Sequence, residues 1–360
     1  MRTLSGRIVL PDGSTVAGLL RFETIISAIE HSDTTSSDYI LPGFVDLQVN
    51  GSHGVDVMTA TADGILEISD RLAREGTTAW LPTAITSPID RIENVHRTIG
   101  EAIERQRDAP RGARILGLHL EGPFISPLRL GAHPQRNLEP RGEAFERVMA
   151  LEHLKLVTLA PELPGALEAT RRLTSREVVV SIGHTNATFE EASAGVAAGA
   201  RMFTHLFNAM RPLNHRDPGV IAAALTNEVA MPAVIPDGVH LAPEILRLIY
   251  MTRGARRMIL TTDKVSLAGT ESAKISGGAA RLADGTLAGA IISMLDGARL
   301  LMEKAGASIA EAAVMAASNP ASLIGHAELG RLQPGAVSDI IVLNDAFELK
   351  AVFLAGRELN

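Results

Sequence analysis

The chain has no cysteine among its 360 residues. Disulfides and thiolate metal sites are therefore excluded, and any metal has to be held by His and carboxylate. Aromatic residues are scarce, at 3%, which leaves Leu, Ile, Val, Ala and Met to fill a core. No apolar run approaches the roughly 18 residues of a membrane span. The N-terminal MRTLSGRIVLPDGSTV lacks the continuous apolar stretch of a signal peptide. The expectation is a cytoplasmic protein with no membrane partner. A basic tail or cluster is also missing, and 34 basic against 41 acidic residues give a net charge of −7. That argues against nucleic acid as the main partner. An anionic substrate would have to be met by a few locally placed cations.

What is present is a repetition. Eight short apolar runs end in polar or ionisable residues, at Gln48 and Asn50, Thr83, Glu121, Glu162, His184, His205, His240 and Asp263. The runs are GFVDLQVN, TTAWLPTAI, ARILGLHLE, LKLVTLAPE, EVVVSIGHT, ARMFTHLFN, AMPAVIPDGVH and RMILTTDKV. Near-continuous apolar strands suit a parallel sheet covered by helices. Helix-like stretches separate them, such as DGILEISDRLAREG and ATFEEASAGVAAG, and two close on Gly76 and Gly199. Chemistry at the C-terminal tips of eight parallel strands is the plan of a (β/α)8 TIM barrel. Such a barrel needs about 250 residues, leaving room for a second module. Both ends of the chain read as β structure, with Pro11-Asp12-Gly13 as a turn signal. The expected organisation is a small β-sandwich from residues 1–40 and 331–360 attached to a barrel at 41–330.

Glu121, His184 and His205 stand at the ends of strands three, five and six. One carboxylate and two imidazoles form a three-ligand set for a catalytic divalent ion with an open position for water. Zinc is the first expectation, and iron, cobalt or manganese suit the same donors. The alternative is that each residue merely caps a strand or satisfies a buried hydrogen bond. Asp263 ends strand eight and would serve as the base for a water on that ion; its alternative is a helix N-cap. Lys264 should point away. His119 lies two residues before Glu121, on the same side of the strand and deeper in the barrel. Gln48 and Asn50 are poor metal ligands, so strand one should hold no tightly bound ion. The loop after strand six carries Arg211, His215 and Arg216 above the candidate metal site, where they suit an anion such as phosphate.

At LPGFVDLQVNG, HLEGPFISP, GAHP, GHTNAT, THLFNAMRPLNHRDPG, DGVH, TTD, LAGAIISM and GRLQPGAVSDIIVL, the sequence resembles the amidohydrolase superfamily. Within it, the resemblance is to the N-acetylglucosamine-6-phosphate deacetylases. It implies hydrolysis of the acetamide of an N-acetyl amino-sugar phosphate, with Glu121, His184 and His205 as metal ligands and Asp263 as acid and base. It further implies that His133 polarises the acetyl carbonyl. Asn208, Ala209, Arg216 and His240 would contact the sugar phosphate, and Ala132 with Ile292, Ser293 and Met294 would line the sugar pocket. A homodimer is the implied assembly, in which His240 reaches a neighbouring subunit's substrate. Gln48-Val49-Asn50 replaces the His-x-His of two-metal members, and KVSLAG after Asp263 stands where relatives carry small apolar residues. Other readings are deacetylation of a galactosamine-type phosphate, a cyclic amidohydrolase, and a non-catalytic binding protein on the same fold. The cyclic amidohydrolases need a strand-one His pair and a Lys at the end of strand four, and this chain has neither. Retention of all three ligands and the base weighs against the binding protein.

Overall fold

A computed structural model of the chain describes residues 1–33, 36–266, 273–276 and 278–359. Eight parallel strands occupy its middle, at Phe44–Val49, Thr77–Ile85, Leu118–Glu121, Leu154–Leu159, Val179–Ile182, Met202–Phe203, Met231–Val234 and Ile259–Leu260. Each pairs with its neighbour in sequence, so the sheet runs in unbroken order from strand one to strand eight. Strands one and eight meet through a parallel bridge between Val49 and Lys264. The Lys264 carbonyl accepts the Asn50 and Gly51 N–H groups. Beneath that seam, buried Asp46 accepts from both Thr261 and Thr262 hydroxyls. These contacts close a (β/α)8 TIM barrel.

The covering helices begin and end where the sequence punctuates them. Ala62–Arg74 is capped by the Thr61 hydroxyl, buries Ile65, Leu66, Ile68 and Leu72 at helical spacing, and is followed by Gly76 at φ +91°. Phe189–Ala198 opens with a reciprocal Thr188–Glu191 capping box and closes on Gly199 at φ +129°. The barrel interior holds Val45, Leu47, Ala79, Leu81, Leu156, Met202, Ala233 and Ile259, all fully buried. Each large aliphatic side chain there stabilises the fold by about 1.5–3 kcal/mol. Ala321, Ile324 and Leu329 from the C-terminal region join the same cluster.

The two termini combine in one seven-stranded sheet. The N-terminal part supplies Arg2–Val9, Thr15–Phe22, Ile26–His31 and Tyr39–Pro42; the C-terminal part supplies Ile340–Leu343, Leu349–Leu354 and Arg357–Glu358. Tyr39–Pro42 joins the halves, pairing parallel with Arg2–Val9 and antiparallel with Ile340–Leu343. The Phe22 and Phe353 rings touch edge to face with centroids 5.3 Å apart, although three strands separate theirs in the sheet order. The sheet therefore curls over a shared core of Ile8, Leu20, Phe22, Ile26, Ile40, Ile340 and Phe353. The sandwich layers are two parts of one continuous sheet.

A third β unit, Ala273–Ser276, Ala279–Leu282 and Leu287–Ala290, is inserted between strand eight and helix Met294–Leu300. Sequence reading passed over it, although Asp284-Gly285 between two short apolar runs is a hairpin signature. Part of the KVSLAG segment, residues 267–269, lies outside the described residues. No helix among the described residues is long and apolar enough to cross a membrane.

Candidate active site

A polar layer crosses the barrel just below the strand tips. Thr83 Oγ1 accepts the Val49 N–H at 3.0 Å and lies 3.3 Å from His119 Nδ1. His119 Nε2 meets Thr158 Oγ1 at 2.9 Å, and Thr158, Thr204 and Ser181 continue the chain of hydroxyls. Burial pushes the His119 pKa down to about 4, so this imidazole is neutral. Thr83, which had no task in the sequence, is thus part of the floor of the site.

Above that floor three side chains converge. Glu121 Oε1 lies 3.1 Å from His184 Nε2 and 3.0 Å from His205 Nε2, and the two imidazole nitrogens are 3.2 Å apart. All three residues are buried. His184 donates Nδ1–H to the Arg129 carbonyl at 3.0 Å, which turns Nε2 inward as a ligand nitrogen requires. Gly183 precedes it because an added Cβ would come within 2.7 Å of Thr204 Cβ. Glu162, the other unassigned strand tip, accepts from the Thr185 hydroxyl and the Asn186 N–H, fixing the turn that carries His184.

The backbone is held in the left-handed region at His184 (φ +46°), His205 (+27°), Ala209 (+51°) and Asp263 (+50°). Such conformations cost about 1–3 kcal/mol each and persist only where the surroundings enforce them. Here they turn the chain abruptly off each strand.

These donors fit a divalent ion. Four-coordinate bonds of about 2.0–2.1 Å place ligand atoms roughly 3.4 Å apart, close to the observed spacing. Two imidazole lone pairs facing each other need a cation or a proton between them. Burial opposes protonation of His205, but Glu121 and Asp263 outweigh it and raise its pKa. Burial, then His133, pushes His184 down to about 4. Burial also works against the Glu121 carboxylate, yet hydrogen bonds from His133, His184 and His205 hold it well below the usual range.

Asp263 faces this set across strand one. Gln48 Nε2 bonds Asp263 Oδ1 at 3.0 Å and Glu121 Oε1 at 2.9 Å; Asn50 Nδ2 reaches the same Asp263 oxygen at 2.7 Å. Burial, then the Glu121 charge, pushes Asp263 up to about 7. Lys264, Val265 and Ser266 after Asp263 are not helical, so the N-cap alternative falls. Lys264 does point away, with Nζ 2.5 Å from Glu75. His133 stands on the other side, with Nε2 3.5 Å from Glu121 Oε2. Its Nδ1 accepts the Thr86 backbone N–H at 3.4 Å and lies 2.8 Å from the Thr86 hydroxyl. A backbone N–H only donates, so the neutral ring carries its hydrogen on Nε2, toward the ligand set.

The amidohydrolase family model matches residues 39–359. The chain belongs to the amidohydrolase family. It is 35% identical over 344 residues to N-acetylglucosamine-6-phosphate deacetylase of Bos taurus, covering 88% of this chain and 82% of that protein. It is 34% identical over 351 residues to N-acetylgalactosamine-6-phosphate deacetylase of Escherichia coli O157:H7, covering 92% of each. Its fold matches an aspartate-to-alanine mutant of N-acetyl-D-glucosamine-6-phosphate deacetylase from Mycobacterium smegmatis in complex with N-acetyl-D-glucosamine-6-phosphate. That match has a TM-score of 0.90 at 29% identity, covering 99% of this chain and 98% of that one.

In this amidohydrolase a cavity of about 610 Å³ opens over Glu121, His184, His205 and Asp263. Ala132, His133, Asn208, Ala209 and His240 line it. His240 is braced by Asp237, whose Oδ2 lies 2.6 Å from Nδ1 and whose Oδ1 accepts the His240 N–H. Six other sequence candidates stand outside the cavity wall. Arg216 and His215 are exposed on their loop, and Arg211 is tied to Asp217. Ser293 caps helix Met294–Leu300 through a capping box with Asp296, Met294 is fully buried in the core, and Ile292 precedes them without reaching the cavity. Next to Ile292, Ser293 and Met294 the inserted hairpin supplies the wall, through Arg281, Leu282 and Gly285–Gly289. The amide bonds of Gln48 and Asn50 to Asp263 also escaped the sequence reading, since nothing in strand one says which carboxylate closes against it.

Proposed function

We propose that the chain hydrolyses the acetamide of N-acetyl-D-glucosamine 6-phosphate to D-glucosamine 6-phosphate and acetate. The observation that carries this reading is the convergence of Glu121, His184 and His205 beside Asp263 in a chain whose relatives are deacetylases of N-acetyl amino-sugar phosphates. Glu121, His184 and His205 hold one divalent ion, zinc by preference. When bound, the ion supplies Lewis acidity, which polarises a carbonyl and brings the pKa of water toward about 7.

The chain's own residues do the rest. Gln48 and Asn50 hold Asp263 by Oδ1, so Oδ2 is the oxygen that takes the proton of the attacking water. Asp263 then returns that proton to the amine nitrogen as the C–N bond breaks, because an amide leaves only as the neutral amine. His133 donates Nε2–H to the acetyl oxygen as negative charge grows there. Ala132, Asn208, Ala209 and His240 position the sugar. Arg216, Ile292, Ser293 and Met294 do not line the cavity of a single chain.

We also propose a cytoplasmic homodimer as the working form. The support for the dimer is the exposed Leu128 and Leu213, which sit on the loops carrying Ala132 and Ala209.

The test is acetate release by metal-replete protein from N-acetylglucosamine 6-phosphate and its galacto epimer. The gluco compound should have the higher kcat/KM. Preference for the galacto epimer, or turnover confined to cyclic amides, overturns the assignment.

A further inference from the structure

His133 is carried by a long loop rather than by a barrel strand. Between Glu121, which ends strand three, and helix Gly142–Met149, residues 122–141 contain neither helix nor strand. A group that polarises a carbonyl has to be held within about 0.5 Å of its working position. A histidine ring on a loop has no such precision by itself, because its outer torsion is broad and roughly two-fold. A ring flip exchanges Nδ1 with Cδ2 and Nε2 with Cε1, and the donor is lost.

Thr86 supplies what the loop lacks. It directly follows barrel strand Thr77–Ile85 and is fully buried. Its hydroxyl lies 2.8 Å from His133 Nδ1, and its backbone N–H donates to the same nitrogen at 3.4 Å. Since Nδ1 accepts from that N–H, the hydroxyl is the donor in its own contact as well. We propose that Thr86 is the positioning residue for His133: its hydroxyl holds Nδ1 and so keeps Nε2–H aimed at the acetyl oxygen. Thr86 does not line the cavity, whereas His133 does, so Thr86 acts only through the imidazole. This assignment rests on the deacetylase reading.

The distances say which of the two Thr86 donors matters. A backbone N–H at 3.4 Å lies beyond the usual range of a hydrogen bond, while a hydroxyl at 2.8 Å lies within it. On the opposite edge of the ring, Nε2 is 3.5 Å from Glu121 Oε2, too long to fix the orientation. The hydroxyl is therefore the contact that sets the ring. The neighbouring strand reserves the space for it. Gly122 follows Glu121, and a Cβ added there would lie 2.1 Å from Thr86 Oγ1. At φ +79° that position also suits glycine. Glycine at 122 thus leaves the room that the Thr86 hydroxyl occupies.

The experiment compares zinc-loaded wild type, Thr86→Val and Thr86→Ser on N-acetylglucosamine 6-phosphate and on its N-trifluoroacetyl analogue. Thr86→Val should lower kcat on the acetyl compound at least about tenfold, part of what a whole oxyanion donor carries, with KM within about twofold. Thr86→Ser should recover most of kcat, because the donor returns. The Thr86→Val loss should shrink on the trifluoroacetyl compound, whose activated carbonyl needs less polarisation; a merely structural loss would be equal on both. In a His133→Gln background Thr86→Val should cost nothing further, as for two residues that act as one. Nitrogen NMR of the His133 ring should place its hydrogen on Nε2 in wild type and on both nitrogens in Thr86→Val. Wild-type kcat and ring signal in Thr86→Val, or equal losses on both substrates that serine does not recover, would overturn the proposal. If wild type releases no acetate but Thr86→Val still changes the ring signal, the deacetylase reading fails and the positioning of His133 stands.

Discussion

The Asn50 side-chain amide lies 2.7 Å from Asp263 Oδ1, joining the tip of barrel strand one to the tip of strand eight. Gln48 addresses the same oxygen. Both donors favour the ionised carboxylate. Asn50→Leu should therefore raise the Asp263 pKa by about one unit and lower kcat. The acid limb of the kcat profile would move to higher pH by that amount. An unmoved limb with reduced kcat would mean that Asn50 only shapes the loop.

The pH dependence of the native enzyme follows from Asp263 itself. Burial and Glu121 push its pKa up to about 7. A base works only when ionised, so activity falls as pH drops through that pKa. A bound dication favours the ionised form and brings the acid limb below 7. Metal-replete protein should thus keep full activity at neutral pH and lose it tenfold per unit on the acid side. A flat profile down to about pH 4, the range of an ordinary carboxylate, would contradict this.

Protons compete with metal for the same nitrogens. Glu121 and Asp263 raise the pKa of His205, so acid should protonate His205 and expel the ion. Metal affinity measured against pH should weaken steadily as pH falls through that titration. Glu121→Gln should lose the one bound ion per chain by elemental analysis. Retention of a full equivalent would remove Glu121 from the ligand set.

Lys264 tests the closure of the barrel. It is buried and paired with Glu75, which also lies 3.3 Å from His53 Nε2. Lys264→Met leaves the half-buried Glu75 without that partner and should cost about 1–3 kcal/mol in chemical denaturation. The double variant Lys264→Met with Glu75→Gln should recover much of the loss, since it removes the carboxylate that the single variant leaves without its lysine. Equal losses in single and double variants would show that the pair is not coupled.

The barrel was legible because each parallel strand is an apolar run that ends abruptly in a polar side chain, as at Leu120-Glu121 and Thr262-Asp263. Helix ends were legible from Thr188, Glu191 and Gly199, whose chemistry acts within one turn. The convergence of Glu121, His184 and His205 could be read because three strand tips carry Glu, His and His. Contacts that depend on closure were not legible. Gln48 and Asn50 meet Asp263 only when strand one meets strand eight, more than 200 residues later. Arg216, read as the phosphate cation, lies on an exposed loop away from the cavity lining of a single chain; loop charge says nothing about where the loop folds. The hairpin wall of Arg281, Leu282 and Gly285–Gly289 was overlooked because it interrupts the β/α alternation, and Ile292, Ser293 and Met294 do not line the cavity.

The most direct measurement is acetate release from N-acetylglucosamine 6-phosphate by wild type and by Asp263→Asn, each with its metal content determined. The wild type should turn over, while Asp263→Asn should retain one ion per chain and lose about 10²–10⁴-fold in kcat, the range of a general acid–base group. An Asp263→Asn protein with wild-type turnover would contradict the account.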